Sequence, residues 1–380
     1  MKNSSAKGTS KYVLEPIERF DQKNDMFKRV RWDTQFQDIK DRFYSVHYPR
    51  DKDGYGHREL AFRDAGWYIE LAFAQGIMTH DSGMYSWKTK LERSPIPPGL
   101  KLEVTDPLKI TRNIKKLAKF FGASQAGICE LDRRWIYSHS FNARTFEHKE
   151  LEVPEECQYA IVLTFEMDYQ LTQTSPAWLA QGTAGKAYST MPFTSSMLAQ
   201  FIRSLGYQAI PSGNDTGITI PMAIDAGLGE LGRNGMLITR EFGPRVRIAK
   251  VLTDLPLVPD EPIEFGVTEF CSICKKCAKT CPSQAIIHSG RTTEIHNVSN
   301  AGGELKWPVD AEKCFSFWAR NEGSCMNCIR SCPFNKVRGW FHEGARLLVK
   351  NAPWFNTLLL TMDDWLGYGR QANAKEYWTK

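Results

Sequence analysis

Long apolar runs are missing from this 380-residue chain: no stretch of about eighteen apolar residues occurs, which excludes an ordinary membrane-spanning helix. The first residues, MKNSSAKGTSKYVLEPI, carry neither a hydrophobic segment nor a leading pair of arginines. The expectation is therefore either a cytoplasmic protein or a processed form. Low-complexity tracts are absent, and so are internal repeats outside one cysteine-rich region, which argues against a solenoid or a disordered linker. The net charge of +6 is dispersed, with pairs such as Lys115-Lys116, Arg133-Arg134 and Lys275-Lys276 forming no stripe, so no nucleic-acid surface is expected. There is no Walker loop, and no G-x-G-x-x-G stands behind a strand in the dinucleotide-binding register. What is present is a 42% hydrophobic composition rich in aromatics, with 11 Trp and 21 Phe, enough for a sizeable core in one large or a few small domains.

Eight of the ten cysteines fall between Cys271 and Pro333, in two runs that each close on Cys-Pro. The first places Cys271, Cys274, Cys277 and Cys281 at the C-x-x-C-x-x-C-x-x-x-C-P spacing of bacterial ferredoxins. The second keeps the closing pattern at Cys325, Cys328 and Cys332, with Cys314 set apart by a stretched interval, FSFWARNEGS. In two-cluster ferredoxins the last cysteine of each run ligates the other run's cluster. Applied here, one [4Fe-4S] cluster takes Cys271, Cys274, Cys277 and Cys332, and the other takes Cys281, Cys314, Cys325 and Cys328. Zinc knots and disulfides are the competing uses of paired cysteines; nested triples and the two prolines favour iron-sulfur clusters. Cys129 and Cys157 lie in or beside apolar segments and are expected to be buried thiols.

Residues 1–105 read as an irregular, aromatic cover, with a helix from His57 to Gly76 and the proline-rich loop SPIPPGL at its end. Asp106-Pro107 is a helix start, and apolar residues then recur at helical spacing up to Gly122. QAGICEL and YAIVLTFEM read as buried strands. A helix over MPFTSSMLAQFIRSLGY, a strand YQAIP, a helix around PMAIDAGLGE and a strand RVRIAKVLTD follow, and two helices are expected beyond Pro333. Between them lie the glycine-rich loops SGNDTG and GLGELGRNG, where glycine lets a backbone approach a ligand closely.

The strings GKAYSTM, SGNDTGITIPMAIDAGLGELGRNG, FGPRVRIAKVLTDLPL and FCSICKKCAKTCPSQAI, in this order, resemble the corrinoid and iron-sulfur reductive dehalogenases of organohalide-respiring bacteria. The likeness runs from about Asp106 to Tyr368 and is loose over the first hundred residues. It implies an α+β fold, a nitroreductase-like corrinoid-binding core over 106–265 completed by 336–380, and a ferredoxin-like module of two [4Fe-4S] clusters over 266–335. It implies a base-off cobamide as cofactor, consistent with the absence of a D-x-H-x-x-G motif. It implies two-electron removal of halide, with electrons relayed through both clusters. The proton donor falls on Tyr188, the arginine that steadies its phenolate on Arg247, and a further polar wall on Asn214. Gly213, Asn214, Gly217, Gly229, Gly232 and Arg245 fall on the corrinoid-binding strings, and Trp318 on a wall of the halocarbon pocket. A small chlorinated aliphatic is the expected substrate, since Trp318 and the aromatic cover leave a tight cavity with few cationic side chains to hold a phenolate.

Family members are exported by a twin-arginine signal and dock on a small integral-membrane anchor protein that links them to an upstream electron donor. The expected place is thus peripheral, on the outer face of the cytoplasmic membrane, with a cytoplasmic form left open and a homodimer allowed. The rival of another function is epoxyqueuosine reductase, a tRNA-modifying enzyme with a similar core and cluster layout. Tyr188, where an aspartate acid is expected in that family, and the arginine pair of GPRVR argue against it. A simple electron carrier would leave the more than 250 residues before the clusters without a purpose.

Overall fold

The structure is a computed structural model that describes residues 7–74, 83–88, 97 and 99–379. At its centre, four strands form an antiparallel sheet: β1 (Gln125–Glu130), β4 (Tyr159–Glu166), β8 (Val246–Thr253) and β5 (Ala209–Ser212), in the spatial order β1-β4-β8-β5. Two short strands, β2 (His139–Phe141) and β3 (His148–Glu150), make a separate hairpin, and β6 (Glu230–Leu231) with β7 (Leu237–Ile238) makes another. Strand alternation sends the two faces of the central sheet into two cores. Ile161, Leu163, Phe165, Ala249 and Val251 pack with the helices α4 (Pro107–Phe120) and α6 (Trp178–Ser204). Ala160, Val162, Ile210 and Leu252 pack with α7 (Thr219–Asp225) and the surrounding loops. This is the α+β layering that the resemblance implied.

Helix α4 begins as its sequence dictates: the Asp106 side chain accepts from the Lys109 N–H, Pro107 takes the first turn, and Gly122 at φ +120° ends the segment. Helix α6 differs from the sequence reading. It starts at Trp178, thirteen residues before Met191, and runs through Pro192. GKAYSTM is therefore part of this helix, which the sequence reading began only at Met191. Proline removes one backbone donor and disfavours a helix interior, which is why the earlier half is hard to join to the later one by pattern alone.

Preceding the core are α1 (Met26–Trp32), α2 (Gln37–Phe43) and α3 (His57–Ile69), the last continuing as a π-turn over Glu70–Ala74. The rest of the expected helix to Gly76 and most of the SPIPPGL loop lie outside the described residues. Helix α3 lies directly on α6. A Cβ on Gly66 would stand 2.4 Å from the Gly182 carbonyl oxygen, and one on Gly185 would stand 2.6 Å from the Trp67 ring, so glycine is what permits this approach. Between β4 and α6 lies α5 (Tyr169–Gln173). The cysteine-rich part is made of the short helices α8 (Val267–Cys274), α9 (Lys276–Lys279), α10 (Ala311–Asn321) and α11 (Asn327–Arg330). The two helices expected after Pro333 are α12 (Trp340–Asn351) and α13 (Asn356–Trp365).

Candidate active site and cluster-binding module

The contact between α3 and α6 sets the first feature of the site. Trp67 of α3 stacks on Tyr188 of α6, with ring centroids 5.1 Å apart and 23° between planes. Arg247 projects from β8, and its guanidinium carbon lies 5.3 Å from the centroid of the same tyrosine ring. Asn214, in the loop after β5, directs its amide nitrogen to the Tyr188 hydroxyl at 3.5 Å. Tyr188, Arg247 and Asn214 come from three separate elements and meet here.

That loop is held by a residue the sequence reading passed over. Lys250, fully buried on β8, donates to the carbonyls of Gly213 (2.8 Å) and Gly217 (3.2 Å) and to Thr219 Oγ1 (3.0 Å). Burial lowers its pKa to about 7, against the pull of Asp215. A lysine inside the apolar string RIAKVLT gives no sign of this role, because sequence does not show which face of the strand meets a loop.

Several polar atoms around Tyr188 are buried yet make no hydrogen bond: Arg247 Nε, Tyr85 Oη, Asp215 Oδ2 and Glu70 Oε2. Buried polar groups in native proteins are normally satisfied, so four orphans in one region fit a site shaped for a polar group the chain does not itself supply. Burial, and then the charge of Asp215, raises the Glu70 carboxyl to about 8, so it is largely neutral at pH 7 and able to carry a proton. Burial also raises Tyr85 well above the usual range, helped by Glu70, Asp215 and Tyr188.

The glycines of the two loops and Arg245 are packed closely against the protein. A Cβ on Gly217 would lie 2.3 Å from the Trp135 carbonyl oxygen, one on Gly229 2.2 Å from that of Ile238, one on Gly232 2.8 Å from the Ile238 side chain, and one on Gly213 2.9 Å from Tyr85 Oη. Backbone oxygens thus require glycine at Gly217 and Gly229, while at Gly213 and Gly232 the near atoms belong to side chains. Arg245 is committed within the protein, to the Glu166 carboxylate, the Met167 carbonyl (2.6 Å) and Asn335 Oδ1 (2.9 Å). These bonds engage its Nε and Nη1 and brace β8 against the segment after β4.

Loop GLGELGRNG instead abuts the cysteines. Arg233 donates to the carbonyls of Cys271 (3.0 Å), Ile287 (2.9 Å) and Ser289 (2.9 Å), and Asn234 donates to that of Cys328 (3.5 Å). One small cavity of about 20 Å³ is lined by Cys271, Cys274, Cys277 and Cys332 together with Arg233 and Asn234. The thiols of Cys314, Cys325, Cys328 and Cys281 lie within one another's electrostatic reach, and Cys281 packs with Cys314 and Cys328. So each run's last cysteine faces the other run's first three. Sulfur donors in two such groups of four fit iron-sulfur clusters. Cys328 and Tyr188 pack against the same core, and the Arg247 charge acts on the Cys328 thiol, so the second group lies on the Arg247 side of the tyrosine.

Trp318 belongs to an aromatic cluster joining α10 to the N-terminal helices: its ring centroid is 5.8 Å from that of Phe27 and 6.2 Å from that of Phe315. Its indole nitrogen is buried with no partner. The aromatic ring in contact with Tyr188 is that of Trp67, which sequence showed only as one member of a helix's apolar face. Cys129 and Cys157 are buried as expected, and burial raises the Cys157 thiol to about 12.

An α+β core carrying a tyrosine-arginine-asparagine pocket beside two tetrads of cysteines defines an iron-sulfur oxidoreductase. Residues 270–336 match the 4Fe-4S dicluster domain family. A tetrachloroethene reductive dehalogenase of Sulfurospirillum multivorans is 38% identical over 347 residues, covering 84% of this chain and 69% of the relative. One from Desulfitobacterium hafniense is 39% identical over 333 residues, covering 77% of this chain and 60% of the relative. The solved structure of the catabolic reductive dehalogenase NpRdhA superposes with a TM-score of 0.76 at 25% identity, over 96% of this chain and 48% of that one. An epoxyqueuosine reductase of Lactococcus garvieae matches only 34% of the chain, at 27% identity. The chain belongs to the corrinoid and iron-sulfur reductive dehalogenases. It spans roughly two thirds of these curated relatives and about half of the solved chain.

Proposed function

We propose that this protein removes halide reductively from a small chlorinated aliphatic compound, replacing it with hydrogen, and that Tyr188 delivers the proton. The observation that carries the reading is the meeting of Tyr188, Arg247 and Asn214 beside a cysteine tetrad. A bound corrinoid supplies strongly reducing cobalt, and two [4Fe-4S] clusters held by the two tetrads supply its electrons. Tyr188 holds a proton at Oη. Asn214 orients that hydroxyl, and the Arg247 guanidinium favours the phenolate left after transfer. Trp67 closes one side of the tyrosine and keeps water from it. Glu70, neutral at pH 7, is placed to carry the next proton into the site.

Support for a chloroethene-sized substrate comes from the relatives named for tetrachloroethene and from the apolar ring of Trp67 beside the acid. Trp318, with the aromatic cluster around it, is assigned to the halocarbon side of the site, and the Gly213–Gly217 loop to its polar rim. The protein acts peripherally, on the outer face of the cytoplasmic membrane, with a small integral-membrane anchor as partner. No helix among the described residues is long and apolar enough to cross a membrane, and α12, the turn Pro353–Phe355 after it and α13 expose Trp340 (87%), Trp354 (76%) and Trp365 (82%), an apolar surface that suits such a partner.

The test is anaerobic chloride release driven by reduced viologen, comparing tetrachloroethene, chloroalkanes and chlorophenols. Fastest release from a chlorinated aliphatic is expected. Faster release from chlorophenols would overturn the substrate class alone; none from any halocarbon, with cofactors loaded, would overturn the reading.

A further inference from the structure

Away from the tyrosine pocket, the β2–β3 hairpin and the segment before α1 bring two imidazoles and a carboxylate together. In the hairpin register His139 pairs with Glu150 and Phe141 with His148, so His139 and His148 are diagonal neighbours on one face. Their ring centroids are 4.7 Å apart. Asp21 reaches the same point from the N-terminal segment, with both carboxylate oxygens 3.0 Å from His148 Nε2. One ligand atom from each of the three lies within 4.8 Å of the others. We propose that Asp21, His139 and His148 form a binding site for a divalent transition metal of the zinc class, which clamps the N-terminal segment onto the hairpin.

Two neutral imidazoles and one carboxylate are a ligand set such ions take up, with bonds of about 2.0–2.2 Å, and small side-chain rotations would close the present spacing to that geometry. The backbone is already fixed for it. Ser138 N–H donates to the Phe20 carbonyl (3.0 Å), and Arg19 donates to the carbonyls of Ile136, Tyr137 and Leu151. Asp21 is further held as the cap of the turn over Gln22–Asn24. Ser138 Oγ lies 3.1 Å from His139 Nδ1, an outer contact of the kind that orients a ligating imidazole. The charge competing for Asp21 is Lys23, whose amine is 3.9 Å away.

The clamp reaches the catalytic loop through the next residue. Gln22 accepts from the Phe141 N–H (2.9 Å) and donates to the Asp215 carbonyl (3.3 Å), beside Asn214. A metal on Asp21 would thus stiffen the wall that carries Asn214.

The test is calorimetric titration of the cluster- and corrinoid-loaded chain with Zn²⁺ alone, under anaerobic conditions, beside His139→Ala, His148→Ala and Asp21→Asn. One saturable Zn²⁺ per chain is expected, weakened by about 100-fold in each variant, together with a rise in unfolding temperature that the variants lack. Absence of saturable binding to the wild type overturns the site whatever the variants do. Wild-type affinity in any one variant overturns the three-ligand clamp and leaves an ordinary Asp21–His148 ion pair.

Discussion

Tyr188 has an aromatic ring on one side, a guanidinium near its face and an amide at its hydroxyl, so its substitutions separate chemistry from packing. Tyr188→Phe keeps the stacking with Trp67 and should retain both clusters and the corrinoid while losing about 100-fold to 10,000-fold in chloride release. Arg247→Lys keeps the charge but not the planar fork and should also slow turnover, and the double variant should be hardly worse than the poorer single one. Additive losses would mean the two act separately. Glu70 gives a pH test. Its pKa is raised from 4.5 to about 8, so the folded state binds more protons than the unfolded one between those values. Stability should therefore fall as pH rises through that window, and Glu70→Gln should flatten the denaturant-midpoint profile and gain most above pH 8. Parallel profiles would place the pH dependence on other groups. Tyr188, Arg247 and Asn214 were legible because ordered motifs name them. Lys250, Glu70 and Trp67 were not, since their roles depend on burial and on which element packs against which.

At the scale of elements, close backbone contact between α3 and α6 positions the pocket. Gly182→Val would drive a side chain into Phe62, whose ring carbons would stand 2.4 Å from the new Cβ, and overpacking of this kind costs about 1–3 kcal/mol. A lowered unfolding midpoint with displaced Tyr188 fluorescence is expected; wild-type values would mean α3 yields without disturbing α6. The strands and the start of α4 were readable from short, buried apolar runs and the Asp106-Pro107 cap. The first half of α6 was not, because Pro192 breaks the helical pattern and small residues such as Gly182 and Gly185, chosen for close packing, resemble a loop in sequence. The cysteine runs were the most legible feature, as ligand spacing is local. Their crossing is open to test: Cys332→Ser should alter the electron resonance of the cluster that shares Cys271, Cys274 and Cys277. A change confined to the other cluster would refute the crossed pairing.

Across the whole molecule, the two cysteine tetrads follow one another toward the tyrosine pocket. The tetrad containing Cys271 lies under α8 and the Arg233 loop, the tetrad containing Cys328 lies between it and Arg247, and Arg247 lies on Tyr188. Electrons arriving at the first group would pass through the second before reaching the pocket. That account requires both clusters and the corrinoid in one chain, and the most direct measurement is the metal content of anaerobically reconstituted protein, read with its visible spectrum. It predicts about eight irons and one cobalt per chain, with corrinoid bands over the broad iron-sulfur absorption. Zinc in place of iron, or iron with no cobalt retained, would contradict it.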